Sequence, residues 1–272
     1  ILILEIWTDL LEKIVGIDDD FFAEGGHSLL AVDLLSRIEK SPGQSLPLST
    51  MLTKTTIRGL ADTLVQGIAP AEEGEIVELE KGHGGTPLFF LHGDYTGGGF
   101  FSRGVARSAE LDGPFYIVQP YGLGRSENLK LPDSIEEMAA IHLKEIRSIQ
   151  PKGPYRIAGH CNGGLIAFEI AQQLHESGEK VEFLGMIDPL SAYENTDRRR
   201  QSTAAGTPDN NQETTDEQVL PLEEEKYRRW LRSNYFRMTA KYEARPYNEH
   251  LSIILLSEDN NRADPTSGWV NA

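Results

Sequence analysis

The sequence predicts an α/β domain preceded by a small, wholly helical bundle, and three observations support this fold class. The first 66 residues carry apolar side chains at helical spacing in three or four short segments. From residue 76 onward, short apolar runs without alternation are separated by helix-length segments, which is typical of a mostly parallel sheet covered on both faces. Residues 155–169 combine an apolar run, a glycine-flanked turn and an apolar helical pattern, which predicts strand, sharp turn and helix.

The composition of the 272 residues limits the partners and the compartment that we expect. With 26 Lys and Arg against 42 Asp and Glu, the formal charge is −16, which argues against nucleic acid or an anionic membrane as the main partner. A single cysteine excludes an internal disulfide and fits a reducing cytosol, so we expect a cytoplasmic protein. No apolar run reaches the roughly 18 residues that indicate a membrane span. The start at Ile1, without a basic leader, indicates a piece of something longer.

The helical bundle is predicted from three apolar periodicities. They indicate helices over residues 1–13, 28–40 and 55–65, and Thr55 or Thr56 is the expected cap of the third. The loop before the second helix contains acidic residues, two phenylalanines and two glycines, and Ser28 opens the helix. Because serine is favoured at the N-cap whatever the function, a plain cap is one interpretation of Ser28.

The boundary between the two domains is predicted at residues 69–75, a short stretch of Ala, Pro, Gly and Glu. We therefore assign residues 1–68 to the first domain and residues 76–272 to the second. A linker this short keeps the two domains close, so transfer of a bound group between them would be effectively intramolecular.

Six short apolar runs in the second domain are predicted strands, and the first of them is an expected edge strand. A helix over residues 134–149 is predicted to begin with a capping box formed by Ser134 and Glu137. The six runs are residues 76–79, 87–91, 115–118, 156–158, 183–187 and 251–256.

The hexapeptide Gly-His-Cys-Asn-Gly-Gly at residues 159–164 predicts a nucleophile elbow with Cys161 as the nucleophile. On such a strained turn, side chains at Gly159 and Gly163 would collide across the turn. The backbone N–H of Asn162 would face the group under attack, and the helix start would favour a thiolate and an oxyanion. A small buried thiol at the end of a core strand is the alternative interpretation of Cys161.

A glycine-rich loop, His-Gly-Asp-Tyr-Thr-Gly-Gly-Gly, begins at His92 directly after the strand predicted over residues 87–91. It would bring a second backbone N–H over the elbow, and we predict that the N–H of Asp94 and that of Asn162 form an oxyanion hole. A purely structural turn is the alternative. Phosphate binding is disfavoured because no Gly-Lys-Ser/Thr follows.

Asp188 comes directly after the strand predicted over residues 183–187 and 27 residues after Cys161 (188 − 161). That spacing holds one helix and one strand, so the carboxylate should emerge at the same sheet edge, one strand over. This position suits the acid that orients a catalytic histidine. A carboxylate that caps the turn before Pro189 is the alternative.

The histidine of such a triad is missing from its expected place. The order would be nucleophile, acid, histidine, and His250 is the only histidine after Asp188. It precedes the last predicted strand, which puts it at the amino edge of the sheet, roughly 20 Å from the chemistry. His92 and His160 stand in the wrong order. We therefore expect the catalytic base beyond residue 272, in a part of the domain that follows this chain.

Residues 190–245 lie between Asp188 and the last predicted strand. A polar, acidic stretch comes first, and an aromatic-rich helix follows from Lys226 to Tyr242. This helix could roof an acyl channel, and a plain packing helix is equally compatible with the pattern.

Three motifs in the first domain resemble the peptidyl carrier (thiolation) domains of non-ribosomal peptide synthetases. They are Phe-Phe-Ala-Glu-Gly-Gly-His-Ser-Leu at residues 21–29, Leu-Pro-Leu-Ser-Thr at 46–50 and Thr-Ile-Arg-Gly-Leu-Ala at 56–61. The resemblance implies a 4′-phosphopantetheine arm on Ser28, added by a phosphopantetheinyl transferase, and it implies upstream synthetase domains as partners. A phosphodiester at a helix N-terminus is physically compatible with this.

The elbow, the His-Gly-Asp loop and Asp188, in this order, resemble the type I thioesterases that end such assembly lines, which are α/β-hydrolases. The departure from serine at Cys161 resembles a minority of that family. The resemblance also implies that residues 190–245 form a lid over the active site. The resemblance implies that an acyl or peptidyl thioester passes from the arm on Ser28 to Cys161, and then to water or an internal nucleophile. Transfer from one thioester to another is nearly isoenergetic. The alternatives are a carrier with a docking module that does not turn over, and a free-standing α/β-hydrolase esterase.

Overall fold

The computed structural model describes most of the chain. For Ser28 and residues 222–225 it describes the backbone alone. Within the described parts, no helix combines the length and the apolar composition that crossing a bilayer requires. The described ranges are residues 2–40, 46, 49–66, 76–95, 98–123, 129–189 and 222–254.

Four helices form the bundle that the sequence predicted. A fully buried Trp7 packs against Phe21, with 4.9 Å between the ring centroids, because the apolar stripes of the helices face one another. The helices are α1 (Leu2–Leu11), α2 (Ser28–Glu39), α3 (Thr50–Thr53) and α4 (Ile57–Gln66). The predicted helix bounds are thus confirmed to within about two residues.

The start of α4 decides between the two expected caps. The hydroxyl of Thr56 accepts the N–H of Gly59 at 3.0 Å, which satisfies one backbone donor of the first turn. Thr55 is buried and donates its hydroxyl to a carboxylate oxygen of Asp20 at 2.6 Å. Thr56 is therefore the cap, and Thr55 ties the loop of residues 20–27 to the start of α4.

The second domain is built on a six-stranded sheet in the order β1-β3-β2-β4-β5-β6. The edge strand β1 pairs antiparallel with β3, and the other pairs are parallel. This confirms the α/β fold class and the predicted edge strand. The strands are β1 (Ile76–Glu80), β2 (Leu88–Leu91), β3 (Phe115–Val118), β4 (Tyr155–His160), β5 (Val181–Ile187) and β6 (Ser252–Ile254).

Four described helices belong to this domain: α5 (Ser102–Ser108), α6 (Ile135–Ile149), α7 (Asn162–Glu176) and α8 (Leu222–Thr239). The predicted cap of α6 is confirmed, because the hydroxyl of Ser134 accepts the N–H of Glu137 at 3.2 Å. The carboxylate of Glu137 accepts the N–H of Asp133 at 3.0 Å, one residue earlier than an ordinary capping box.

Alternate side chains of the strands supply two buried clusters on opposite faces of the sheet. Phe89, Leu91 and Ile157 pack with α6, α7 and α8. Phe90 and Phe115 belong to the second cluster, which includes residues of α5 and continues into the core of the bundle. The helix α3 lies beside β1, so the bundle packs at this edge of the sheet.

Candidate active site

Cys161 occupies the single residue between the end of β4 and the start of α7, as predicted for a nucleophile elbow. Its backbone has φ 52° and ψ −122°, in a region that residues with side chains rarely adopt. The N–H of Cys161 donates to the carbonyl of Ile187 at 3.0 Å, and its carbonyl accepts the N–H of Gly164 at 3.1 Å. The strained turn is thus held on both sides, and Cys161 remains partly exposed.

The glycines of the elbow are required by close backbone contacts. A Cβ on Gly159 would lie 2.3 Å from the carbonyl oxygen of Gly163, which confirms the collision across the turn. A Cβ on Gly163 would lie 2.1 Å from the carbonyl oxygen of Leu91, so its collision is with the neighbouring strand β2. The elbow therefore forms only where α7 can approach both β4 and β2 without side chains.

The loop after β2 runs directly beside the elbow. A Cβ on Gly93 would lie 2.6 Å from the carbonyl oxygen of His160 and 3.0 Å from the backbone nitrogen of Asn162. The side chain of Asp94 accepts the N–H of Gly99 at 3.2 Å, which fixes the fold of this loop. The backbone segments that carry the two predicted oxyanion-hole donors, Asp94 and Asn162, thus meet at the nucleophile, and their role stays a prediction.

The electrostatics of Cys161 differ from what the helix start alone suggested. Burial raises the pKa of the Cys161 thiol above its usual value, and the Asp188 carboxylate raises that pKa further. The N–H of Asn162 acts in the opposite direction but does not outweigh burial. The helix start does favour a thiolate through the N–H of Asn162, as expected. The net shift in the pKa of Cys161 is nevertheless upward, so the expectation of a stabilised thiolate is wrong. Near neutral pH the thiol is protonated, and it needs a base.

Asp188 is the first residue after β5, and the sheet register places it beside Cys161. His160 pairs with Ile187 across β4 and β5, and the two candidate residues come next on their strands. Asp188 has a positive φ of 43°, and its N–H donates to the carbonyl of Ile254 at 2.7 Å. A non-glycine residue held in this conformation at a sheet edge is an observation that favours a functional role.

The described histidines do not complete a triad in the expected order. Burial lowers the pKa of His92 to about 4, so this ring is neutral near pH 7. His160 packs its ring 4.9 Å from that of Phe101, and burial lowers its pKa as well. His250 is exposed and comes two residues before β6, which runs parallel to β5, so it lies at the amino edge as expected.

The helix α8 is the described part of the predicted lid, since residues 190–221 lie outside the described ranges. It packs Tyr235 fully buried against Tyr95 of the loop after β2, with 4.7 Å between the ring centroids. Near its end, the hydroxyl oxygen of Thr239 lies 3.3 Å from the side-chain oxygen of Asn162. The helix is thus packed on the core and also contacts the elbow, and its role as a roof over an acyl channel stays a prediction.

A buried carboxylate, missed at the level of sequence, fixes the chain after α8. Glu169 of α7 is 1% exposed and accepts the hydroxyl of Tyr242 at 2.7 Å and a guanidinium N–H of Arg245 at 3.1 Å. Burial raises the pKa of Tyr242, and the neighbouring Glu169 charge raises it further. A glutamate on the apolar face of a predicted helix is the signal that would have indicated a buried partner.

In the bundle, Ser28 is the first residue of the 12-residue helix α2. The N-cap position belongs to His27, with φ −137° and ψ 175°, and its carbonyl accepts the N–H of Ala31 at 2.9 Å. The interpretation of Ser28 as a plain N-cap is therefore wrong.

The loop that leads to Ser28 is organised by Asp20, a residue that the sequence did not single out. Its carboxylate accepts the N–H groups of Phe22 and Ala23, each at 3.0 Å, besides the hydroxyl of Thr55. Burial alone would raise the pKa of Asp20, but these hydrogen bonds and the Arg103 charge outweigh it and lower the pKa. An aspartate in an acidic loop, directly before the aromatic pair, is typical of an Asx turn.

Two stretches of the chain match known families. Residues 86–267 match the thioesterase domain, and residues 2–64 match the phosphopantetheine attachment site. The chain is 38% identical over 196 residues to a dimodular nonribosomal peptide synthase of Bacillus subtilis, covering 70% of this chain and 8% of that protein. It is 35% identical over 190 residues to the indigoidine synthase of Streptomyces lavendulae, covering 70% of this chain and 15% of that protein. The chain thus spans a small part of each relative.

Solved structures share the fold. A holo four-domain nonribosomal peptide synthetase bound to AMP and glycine superposes with a TM-score of 0.59 at 24% identity, over 99% of this chain and 23% of that one. The NocB thioesterase domain, in covalent complex with a fluorophosphonate nocardicin G analogue, gives a TM-score of 0.50 at 21% identity, over 69% of this chain and 79% of that one. At these identities the likeness concerns the fold alone.

Proposed function

Because the chain belongs to the thioesterase domain family and carries a phosphopantetheine attachment domain before it, we propose that it is the chain-releasing end of a non-ribosomal peptide synthetase. In this proposal, Ser28 carries the arm and Cys161 is the nucleophile of a type I thioesterase. The substrate is an acyl or peptidyl thioester made by upstream synthetase domains. The domain bounds proposed from the sequence, residues 1–68 and 76–272, with a lid over residues 190–245, belong to this proposal.

The observation that carries the proposal is the conformation of Cys161. A side chain held at φ 52° on a strand-to-helix turn, partly exposed and next to the N–H of Asn162, has the placement that covalent acyl transfer needs. A structural cysteine has no need of a strained backbone or of three glycines packed around it. The alternative of a merely buried thiol leaves that strain without a purpose.

Ser28 fits the attachment of the 4′-phosphopantetheine arm that the attachment domain carries. It is the first residue of α2, where backbone N–H groups have no partner within the helix and favour a phosphodiester. The arm supplies the cargo as a thioester. The addition of this arm requires a phosphopantetheinyl transferase as a partner.

The chemistry then follows from the residues at the elbow. The Cys161 sulfur forms a bond to the acyl carbon while the thiol that carried the cargo leaves with the proton. The backbone N–H groups of Asp94 and Asn162 would stabilise the oxyanion between these states. Because the pKa of Cys161 is raised, its proton must first go to a base, a histidine that Asp188 would orient and that would pass the proton on to the departing thiol. Water or an internal nucleophile next breaks the Cys161 thioester and releases an acid or a ring.

Mass spectrometry of the loaded protein tests this function. Loading by a phosphopantetheinyl transferase should add the mass of the arm to the unsubstituted chain but not to a Ser28→Ala variant. An acyl-loaded arm should then give an acyl adduct on Cys161, which Cys161→Ala abolishes and Cys161→Ser keeps at a slower rate of release. A loaded arm that never acylates Cys161 in the full-length synthetase would favour a docking module without turnover. No mass gain on Ser28 would favour a free-standing esterase.

A further inference from the structure

The loop that leads to Ser28 meets the segment after β2, which runs beside the elbow, at one interface. Phe22, a few residues before Ser28, packs against Phe100, which follows the glycine-rich loop after β2, and their ring centroids are 5.5 Å apart. Phe100 is 6% exposed and belongs to the buried cluster that continues into the bundle core. The two functional loops are therefore in apolar contact, although they come from different domains.

Arg103, in the first turns of α5, adds polar contacts to the same interface. One of its terminal nitrogens donates to the carbonyl of Leu52 at 2.5 Å, and the other lies 3.3 Å from the carboxylate of Asp20. The guanidinium also lies over the ring of Phe22, 5.2 Å from its centroid. The Arg103 side chain is 15% exposed, and the Asp20 carboxylate is 27% exposed, so this ion pair is shielded from water on most sides.

The other side of the same segment touches the active site. Phe101 packs on the ring of His160, the residue before the nucleophile, at 4.9 Å. A Cβ on Gly99 would lie 2.6 Å from the ring of His92, so the backbone at Gly99 packs directly against the first side chain after β2. Residues 98–108 thus contact the bundle on one side and the elbow on the other.

We propose that residues 98–108 are the docking surface for the carrier bundle of this chain, and that Arg103 selects a carrier with a carboxylate and an aromatic ring at the positions of Asp20 and Phe22. This inference rests on the proposed function. The docked bundle presents the arm on Ser28 to Cys161, and the interface holds the two together long enough for transfer. Arg103 is a positioning residue that does not touch the reacting atoms.

Hydrogen exchange on the apo protein tests the interface without any loaded arm. Arg103→Glu removes the contacts to Leu52 and Asp20 and places two negative charges together, so backbone exchange should become faster in residues 18–24 and 98–108. Lys144→Glu makes the same charge change at an exposed residue of α6, outside this surface, and should leave both segments unchanged. Equal exchange in the two variants would overturn the proposed docking surface.

A crosslink then tests delivery. An arm that ends in a chloroacetamide is loaded on Ser28, and the Cys161 sulfur displaces chloride to form a thioether, which mass spectrometry locates because Cys161 is the only cysteine. Arg103→Glu should slow this crosslink about tenfold, while the reaction of Cys161 with free chloroacetamide stays unchanged. Phe22→Ala removes the aromatic ring that the bundle contributes to the interface, and it should slow the crosslink in the same way. Lys144→Glu, outside this surface on α6, should have no effect.

The outcomes separate the two proposals. If the unsubstituted chain crosslinks but Arg103→Glu and Phe22→Ala do so at the same rate, the docking surface is wrong and the function stands. If the loaded, unsubstituted chain does not crosslink while free chloroacetamide reacts, delivery from Ser28 to Cys161 fails and both proposals fall. Unchanged reaction with free chloroacetamide also shows that a slow variant has kept its fold at the elbow.

Discussion

Two turns of this protein, the elbow before α7 and the loop before α2, are held in different ways. The elbow at Cys161 is fixed by backbone packed against backbone, with no room for a Cβ at Gly159 or Gly163. The loop before Ser28 is fixed by one side chain, the Asp20 carboxylate, which accepts two backbone N–H groups and a hydroxyl. The first arrangement is set by sterics, and the second by hydrogen bonds to a titratable group.

This difference has consequences for how each turn responds to change. A steric arrangement does not depend on pH and does not tolerate an added methyl group, because close-packed backbone cannot move aside. An arrangement around a carboxylate loses strength when the group is protonated, and it tolerates larger side chains nearby. Cys161 is therefore held rigidly, whereas the loop before Ser28 keeps a contact that Arg103 of the other domain can share.

Gly163→Ala should have the largest effect. The new methyl group would lie 2.1 Å from the carbonyl oxygen of Leu91, so α7 or β2 must shift, and we expect a loss of about 3–5 kcal/mol in the free energy of unfolding. Gly104→Ala is the matched control, because a Cβ at that helical position has nothing within 4 Å and should stabilise α5 by about 0.5–1 kcal/mol. Urea unfolding followed by circular dichroism measures both. Equal stability of the two variants would mean that the elbow is not set by sterics.

Asp20→Asn should cost less, about 1–3 kcal/mol near pH 7, because the amide oxygen can still accept the two backbone N–H groups, whereas the amide nitrogen can neither accept the Thr55 hydroxyl nor pair with Arg103. The pKa of Asp20 is lowered in the folded state, so its contribution is present above the unfolded value of about 4 and is lost as the pH falls below it. The difference between the variant and the unsubstituted chain should therefore shrink between pH 7 and about pH 3 in urea unfolding.

The control for that measurement is Asp62→Asn, which removes the same charge from an exposed position on α4 and should change stability by less than about 0.5 kcal/mol. If Asp62→Asn lowers the free energy of unfolding as much as Asp20→Asn does, then net charge, and not the hydrogen bonds within the loop, determines the result. A pH-independent cost at Asp20 would contradict the role of its carboxylate.

The same contrast explains what the sequence could predict. Gly159 and Gly163 stand two residues on either side of Cys161, so the steric constraint on the elbow lies within one short motif. The partner of Asp20 is Thr55, which is 35 residues away, and Arg103 is 83 residues away. Contacts between residues this far apart leave no local pattern, which is why Asp20 and Arg103 were missed although the bundle and the sheet were predicted.

The net shift in the pKa of Cys161 also could not be predicted from sequence motifs. The helix start beside Cys161 could be predicted, and so could its favourable N–H at Asn162, but the burial that outweighs it depends on packing by α8 and by the loop after β2. The N-cap of α2 also differs from the interpretation of the sequence. It is His27 and not Ser28, because the backbone is extended at His27 and the helix begins at Ser28. Asp188 was placed correctly, since it depends only on the order of parallel strands.

The third prediction concerns the charge beside the nucleophile. Asp188→Asn should lower the pKa of Cys161, because the carboxylate now raises it, while burial should keep that pKa above its usual value. The rate of alkylation by iodoacetamide as a function of pH measures this, since mass spectrometry sees one cysteine. The midpoint should move to lower pH in Asp188→Asn and stay in place in Asp62→Asn. A midpoint that stays in place in Asp188→Asn as well would mean that this carboxylate lies too far from the sulfur to act on it.

The smallest effect is expected from Thr239→Val, which removes the hydroxyl of α8 that lies 3.3 Å from the side-chain oxygen of Asn162. The free energy of unfolding should fall by about 1 kcal/mol or less, because the hydroxyl makes one modest side-chain contact to the elbow. The alkylation profile of Cys161 should not change, since backbone packing and not this hydroxyl holds the turn. A shift in that profile as large as the one from Asp188→Asn would show that α8 positions the nucleophile, and the contrast between a sterically held elbow and a side-chain-held loop would then fail.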